Sequence, residues 1–536
     1  MSIWDAYLAC RRLAAAVESL ACRGGGNGRR SGLKIRWGAS SVPVRFRPPA
    51  CFIDVRSAKR RRELFNRRES ASMRWGRGGR MERENEMVIA RALRDWERAL
   101  LDACDLYLVG GTVRDILRGA PIDSIDEDYV ASRIALEDLT RILERFGSLN
   151  LVGRSFGVIK FTARSERTVD ISLPRTEFST GPGHRDFDVR FDPSLPIERD
   201  LERRDFTMNS MAFHLGRGVL VDPLGGRDDL DRALLRVNRD DSFEEDPLRI
   251  LRGAQFMARF GLTVEKGTRE CMGRDARLVA TISAERVRDE LTKLLLLSER
   301  PSAGFLLMHE TGVLEIILPE LDRTYGEAQN EYHPDDIFMH SLRSCDLARS
   351  ELSVRWSALL HDIGKKDRKQ IVDGRTVFYR HEQDSARMAE EILGRLRYPR
   401  ELSSRIVDLV KHHMFNITDE WSDGAVRRFI SRVGRENIDV LLELREADGR
   451  SRGDEEVIAQ NARIRDRLRR ITESDAAFKI QDLAIGGRDV MDALDLEPGP
   501  EVGETLRRLL DAVLDDPAKN TRENLLAIVR AMKQRG

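Results

Sequence analysis

The sequence predicts an α+β protein, a mixed α/β head followed by an all-helical remainder. Three observations carry this reading. Between about residues 81 and 235, short apolar runs bounded by Gly, Pro and Asp alternate with stretches of helical period. After "VDPLGGRDDLDRALLRV" only the helical period persists, punctuated by Pro334, Pro399 and "EPGP" (497–500). The composition is that of a globular chain, with 34% charged residues, 6% aromatic residues and a mean hydropathy of −0.43. A chain of 536 residues can bury several cores. It shows no apolar run of the ~18 residues that a membrane span needs. Its six Cys lack CxxC spacing, which predicts a reduced, cytoplasmic protein.

Taken in order, residues 1–80 stand apart. They carry 19 Lys and Arg against 5 Asp and Glu, and the rest of the chain carries 72 against 85, so a net +14 is set against −13. Stretches such as "KRRRELFNRR" have no sustained apolar period, so too little surface can be buried to offset the ordering entropy. A disordered basic extension is expected, with the working chain beginning near Met81. From there "MVIARALRDWERALLDA" reads as an amphipathic helix leading into the strand "LYLVGG". "TRILERFG" reads as a helix, "SFGVIKFTA" and "RTVDISL" as strands, and "STGPGHRDFDVRFDPSLP" as a long loop without a core of its own. The expected organisation is a head over 81–235, a helical neck over 236–330, a helical body over 331–455 and a helical tail over 456–536.

Gly110-Gly111 lets the backbone approach a ligand, yet carboxylates follow almost at once in "IDEDYVA". GxGxxG is absent, so a dinucleotide is not the expected ligand. Asp126 and Asp128 at i,i+2 on an extended chain point the same way. Two such anions repel unless they share a cation. Mg²⁺ takes one or two carboxylates plus substrate phosphates, and such a clamp serves phosphoryl transfer. Asp170 in "TVDIS" supplies a third carboxylate, and Arg114 is the expected counter-charge to the phosphates. Taken alone, a DxD is more often an acidic turn beside an exposed strand.

It does not stand alone. "GGTVRD…DED" resembles the opening motif of class II tRNA nucleotidyltransferases and bacterial poly(A) polymerases, a branch of the polymerase-β-like superfamily. The spacer is longer here, which makes Asp123 the alternative ligand. "RRDFTMNSMAF" (203–213), "DPLGGRDDL" (222–230) and "EEDPLRILR" (244–252) resemble the next three motifs in order. The resemblance implies Mg²⁺ at Asp126 and Asp128. It implies nucleotide contacts from Gly110, Gly111, Arg114, Arg204, Asp205, Asn209 and Arg252, and base selection by Asp246 and Arg249 in the neck. Gln255 stands where some relatives have a further Arg. At i,i+3 the pair Asp246/Arg249 is expected on one helical face. An acceptor beside a donor fits the pairing edges of cytosine and adenine and is left unpaired against uracil and guanine, at ~1–3 kcal/mol per lost group.

Five of the nine His fall between 340 and 413. His340, His361-Asp362 and Asp448 resemble the H…HD…D pattern of HD-domain phosphohydrolases, with His381 and His413 as added ligands. Ile406, Leu409, Val410 and His413 share one helical stripe, from which His412 falls away. Imidazoles and carboxylates converging among helices suit a divalent transition metal such as Ni, Mn or Co. The resemblance implies 2′,3′-cyclic phosphodiesterase or phosphatase activity there. The C-terminal stretch resembles the tRNA-gripping tail of long family members, and "RTEFSTGPGHRDF" (175–187) resembles the flexible loop of complete CCA-adding enzymes. The expected function is addition of CCA to tRNA from CTP and ATP. The rivals are an A-adding enzyme or poly(A) polymerase with the same head, and an HD phosphohydrolase whose head only binds RNA.

Overall fold

The computed structural model describes residues 92–121, 124–152, 158–164, 167–179, 187–329, 335–418, 420–473 and 477–533. The basic extension, Asp123 and residues 180–186 of the expected flexible loop lie outside the described residues.

The head is built on one mixed sheet. Its strands are β1 (Asp105–Val109), β2 (Asp128–Ser132), β3 (Gly147–Val152), β4 (Val158–Ala163) and β5 (Thr168–Ser172), with two shorter strands, Ala212–His214 and Val219–Val221, on the far side of β1. Along the sheet the order is β3-β4-β5-β2-β1 and then the two short strands. Only β2 and β5 run parallel, with Asp128 opposite Asp170. The unbroken apolar run "LYLV" follows from burial on both faces. Leu106, Leu108, Tyr129 and Ala131 pack on one side with Trp96, Leu139 and Phe161, while Tyr107, Val109 and Val130 pack on the other with Ile197 and Leu201. The stretch expected as a long loop (179–196) holds strand: Ser179 closes the strand Arg175–Ser179, which pairs antiparallel with Phe187–Phe191 as a separate ribbon, and only 192–196 of the described part is irregular. In the sequence the Gly and Pro of 181–183 stand between the two strands and mask them.

Helix α1 (Asp95–Leu101) precedes β1, and α2 (Gly111–Leu117) begins directly after it. Arg94, at the N-cap of α1, donates to both oxygens of Glu127 at 2.6 and 2.9 Å, and the Tyr129 hydroxyl bonds Glu97 at 2.8 Å. This buried network fixes α1 to the strand that carries Asp128. Helix α3 (Ile197–Glu202) covers the second face of the sheet.

Beyond the head the chain is helical. The neck centres on α4 (Leu248–Phe260), which ends on Gly261 at φ +66°, a left-handed stop that glycine tolerates. It packs against α5 (Ala284–Leu297). One continuous core runs from Phe206 at the base of the head through the neck to Ile406 and Val410 in the body. The body helices used below are α6 (Ile337–Leu347), α7 (Leu352–Leu360), α8 (His381–Arg395), α9 (Arg400–His412) and α10 (Ile438–Arg452). A smaller core around Val490, Leu509, Leu525 and Val529 closes the tail. Among the described residues no helix is long and apolar enough to cross a membrane.

Candidate active site

The head and the neck enclose a polar cavity of about 620 Å³ lined by Gly110, Gly111, Arg114, Asp126, Asp128, Arg204, Asp205, Asn209, Asp246, Arg249, Arg252 and Gln255, among others. Gly110 has φ +64°, a conformation that favours glycine, and a Cβ there would lie 2.5 Å from Nη1 of Arg204, so any side chain would displace that guanidinium. Thr112, one residue into α2, clamps the acidic stretch: its hydroxyl donates to the Asp126 carbonyl at 3.0 Å and accepts from the Asp128 amide at 2.9 Å. Burial alternates through 125–129 so that Asp126 and Asp128 share one side. Asp128 is open to solvent, yet it sits at the floor of a concave surface. Burial, with Asp170 and Asp126 adding negative charge, raises its carboxyl to about 6 against the pull of Arg204 and Lys160. Asp170 is beside Asp128 across the parallel pair but does not line the cavity; Lys160 of β4 holds both its oxygens at 2.9 and 3.0 Å.

Asp200 on α3 orients the basic wall. It is 1% exposed and accepts from Arg203 at 3.1 and 2.8 Å and from Arg204 at 3.1 Å. Burial alone would raise its carboxyl, but the two guanidiniums hold it below the usual carboxylate range. Sequence reasoning missed it, although the spacing to Arg203 and Arg204, i,i+3 and i,i+4 in "DLERR", is the signal that could have found it. A second chain of bonds ties neck to head. Arg252 donates to Asp205 at 2.9 Å, Asn209 donates to Asp205 at 3.0 Å, and Arg114 donates to Asn209 at 2.6 Å. Arg114 also holds Asp115 and packs its guanidinium 4.6 Å from the Phe260 ring, so it braces the α2–α4 junction as well as facing the cavity.

Asp246 and Arg249 reach the same cavity, but not from one helical face. Asp246 is extended (φ −138°, ψ 96°) and α4 begins only after Pro247. The ring of a proline clashes with an α-helical residue before it, so Asp-Pro marks a helix boundary. Asp246 accepts from the Leu248 amide at 3.3 Å and from Arg286 of α5 at 3.2 Å, a partner the sequence did not suggest. Arg249 is held by the Ser242 hydroxyl at 2.5 Å and the Arg203 carbonyl at 2.9 Å. Both members are thereby pre-positioned. Gln255 is 2% exposed, and its Nε2 has no hydrogen-bond partner among the described residues.

A second cluster is buried in the body. His340 comes from α6, His361-Asp362 follow α7, His381 opens α8, His413 ends α9 and Asp448 lies on α10. Nε2 of His340 lies 3.2 Å from Nε2 of His361, and Nε2 of His381 lies 3.3 Å from that of His413. Asp362 and Asp448 are held well below the usual carboxylate range: burial opposes their charge, but His361, Lys365 and His340 outweigh it. Burial disfavours a charged His361, yet Asp362 and Asp448 raise it to about 10. Lys365, which the sequence reading passed over, puts its ammonium 2.7 Å from Asp362. The cluster opens onto a cavity of about 810 Å³ rimmed by Phe378, Tyr379, Phe415 and Arg445.

Comparison with known proteins gives consistent results. The sequence profile of the poly A polymerase head domain matches residues 106–236, and that of tRNA nucleotidyltransferase domain 2 matches residues 376–529. An A-adding tRNA nucleotidyltransferase of Deinococcus radiodurans is 35% identical over 428 residues, covering 76% of this chain and 90% of that protein. A multifunctional CCA protein of Paracidovorax citrulli is 36% identical, covering 75% of this chain and 95% of its own length. The fold is similar to that of a Bacillus stearothermophilus CCA-adding enzyme solved in complex with CTP, with a TM-score of 0.60 and 24% identity over 82% of this chain and 96% of that one.

Proposed function

The chain belongs to the tRNA nucleotidyltransferase family, and from that premise we propose that it completes tRNA 3′ ends with C, C and A, drawn from CTP and ATP. The observation that carries this reading is the convergence in one cavity of two carboxylates, a basic wall and an acceptor–donor pair. In this reading Asp126 and Asp128, with Asp170 behind them, hold Mg²⁺. The Asp128 carboxyl, raised first by burial and then by Asp170 and Asp126, supports the assignment, because a cation would relieve both the desolvated charge and the neighbouring anions. When bound, Mg²⁺ supplies charge stabilisation to the attacking and leaving oxygens. The terminal RNA hydroxyl attacks the α-phosphorus in line and pyrophosphate leaves. Gly110 and Gly111 let the triphosphate approach the backbone, and Arg204 and Arg252 receive its charge, oriented by Asp200 and Asp205. Asp246 accepts from the amino group of cytosine or adenine and Arg249 donates to the adjacent ring nitrogen. Uracil and guanine leave both unsatisfied, at ~1–3 kcal/mol each.

For the second cluster the reading is metal-dependent hydrolysis of a phosphate ester such as a 2′,3′-cyclic phosphate, supported by buried imidazole nitrogens converging beside an open, partly basic cavity. A narrower activity at the head, addition of A alone, is favoured by the A-adding Deinococcus relative. Labelled CTP and then ATP, offered to a tRNA lacking its tail, separate the two: incorporation of both nucleotides supports CCA addition, and A added only to a tRNA already ending in CC supports the narrower reading.

A further inference from the structure

We infer that Arg118 and Arg259, stacked on the ring of Phe260 at the rim of the head cavity, form a site that takes the pyrophosphate product as it leaves. This rests on the reading of the cavity as the place of nucleotide addition, and it adds where the product goes.

Two aromatic rings of α4 lead from the cavity to the surface. Phe256 is buried and lines the cavity, and Phe260 is one turn further along and half-buried. Their rings are stacked, with centres 5.9 Å apart and planes 21° apart. Guanidiniums flank both. Arg252 and Arg114 lie 5.0 and 5.5 Å from the centre of Phe256, while Arg114, Arg118 and Arg259 lie 4.6, 4.6 and 4.9 Å from that of Phe260. The inner two are committed, Arg252 to Asp205 and Arg114 to Asp115 and Asn209. The outer two differ. Arg118 and Arg259 are exposed, and neither makes an ion pair or a side-chain hydrogen bond among the described residues. Burial, followed by the charges of Arg114 and Arg118, lowers the Arg259 guanidinium from its ordinary value. Asp115 opposes this, but Arg114 already holds both its oxygens at 2.8 and 2.9 Å. A ring face holds an exposed cation by only ~0.5–1 kcal/mol and does not neutralise it. Crowded guanidiniums with no carboxylate of their own call for an anion, and their planar forks suit phosphate oxygens.

The order of residues along α4 decides which anion. Asp246 precedes the helix and Arg249 lies in its first turn, at the base-reading end. Arg252 follows one turn on, among the phosphate contacts, and Arg259 lies seven residues beyond it, about 10 Å further along the axis. Base, triphosphate and the Phe260 arginines thus succeed one another in one direction. In an in-line displacement the attacking and leaving oxygens lie on opposite sides of the phosphorus. A site beyond the triphosphate is therefore on the leaving side, away from the RNA hydroxyl. The anion freed there at every addition is pyrophosphate. Arg252 and Arg114, tied to carboxylates, keep their places while the triphosphate reacts, and Arg118 and Arg259, held by a ring face, follow the product outward.

The test is inhibition by added pyrophosphate of the addition of one A to a tRNA ending in CC. It compares the full chain with the full chain carrying Arg118→Gln and Arg259→Gln. The inhibition constant for pyrophosphate should rise about 10-fold or more in the double variant, while the KM for ATP and the affinity for tRNA stay close to those of the unaltered chain. An unchanged inhibition constant would overturn the site. An equal rise in the KM for ATP would merge these arginines with the triphosphate contacts and overturn a separate product site. Weaker tRNA binding with a shallower salt dependence, and pyrophosphate inhibition as before, would give the surface to RNA instead. An unaltered chain that adds no nucleotide would remove the transferase reading itself and the product site with it, a result distinct from the other three.

Discussion

Gly110→Ala perturbs the head cavity through one added methyl group. The residue sits at φ +64° and ψ −126°, where a non-glycine backbone costs about 1–3 kcal/mol. The new Cβ would also lie 2.5 Å from Arg204 Nη1. That atom ends a flexible side chain, so Arg204 moves rather than the backbone, and it leaves the position in which Asp200 holds it at 3.1 Å. Losing one charge-assisted contact to the triphosphate costs about 1.5–3 kcal/mol, or roughly a 10- to 150-fold rise in KM for ATP. The assay is addition of a single A to a tRNA ending in CC, run beside hydrogen exchange at the amides of β1. Gly225→Ala is the control: its φ is +73°, but its Cβ would meet nothing within 4 Å, so it carries the backbone cost without displacing an arginine. Gly110→Ala with exchange accelerated but KM unchanged would refute the assignment of Arg204 as a nucleotide contact.

Asp128→Ala, and separately Asp126→Ala, should abolish nucleotide addition while RNA binding persists, as read by a filter-binding assay; near-full activity in the Asp126 variant would move the metal ligand to Asp123. A protonated carboxyl does not ligate, and Asp128 is raised to about 6. Apparent Mg²⁺ affinity should therefore fall as pH drops through 6, with proton release on binding near that pH; calorimetry showing affinity flat between pH 5 and 7 would contradict this. His361→Ala should remove hydrolysis of a 2′,3′-cyclic phosphate and spare addition, since the two clusters share no ligand. Equal loss of both activities would indicate a shared structural role instead.

What the sequence made legible, and what it hid, divides along physical lines. Periodicity carried the head-then-helix order and separated His413, buried at the end of α9, from His412 beside it, because an imidazole on an apolar stripe must enter the core with that stripe. The i,i+2 spacing of Asp126 and Asp128 gave their common side by the geometry of extended chain alone. Hidden were the residues that act through others. Thr112 has ordinary neighbours in sequence, and its meaning lies in two hydrogen bonds that only the fold brings into reach, while the spacing of Asp200 to Arg203 and Arg204 is a signal that many surface helices share. Arg286 meets Asp246 across 40 residues, which no local pattern encodes. The extended Asp246, by contrast, was legible from Pro247 and was overridden by the i,i+3 spacing. The ribbon flanking 180–186 was obscured because the Gly and Pro between its two strands dominate the composition of a short stretch.

The central claim is that one cavity adds both pyrimidine and purine nucleotides to tRNA under the control of Asp246 and Arg249. The measurement that tests it most directly offers each of the four labelled nucleoside triphosphates to a tail-less tRNA, with the unaltered chain and with Asp246→Ala. The account predicts C, C and then A from the unaltered chain, with UTP and GTP rejected. In Asp246→Ala, which leaves Arg249 without its partner acceptor, it predicts discrimination against UTP weakened by roughly 10-fold or more, the equivalent of about 1–3 kcal/mol. An unaltered chain that ignores CTP, or an Asp246→Ala variant that still selects C and A as strictly as before, would contradict it.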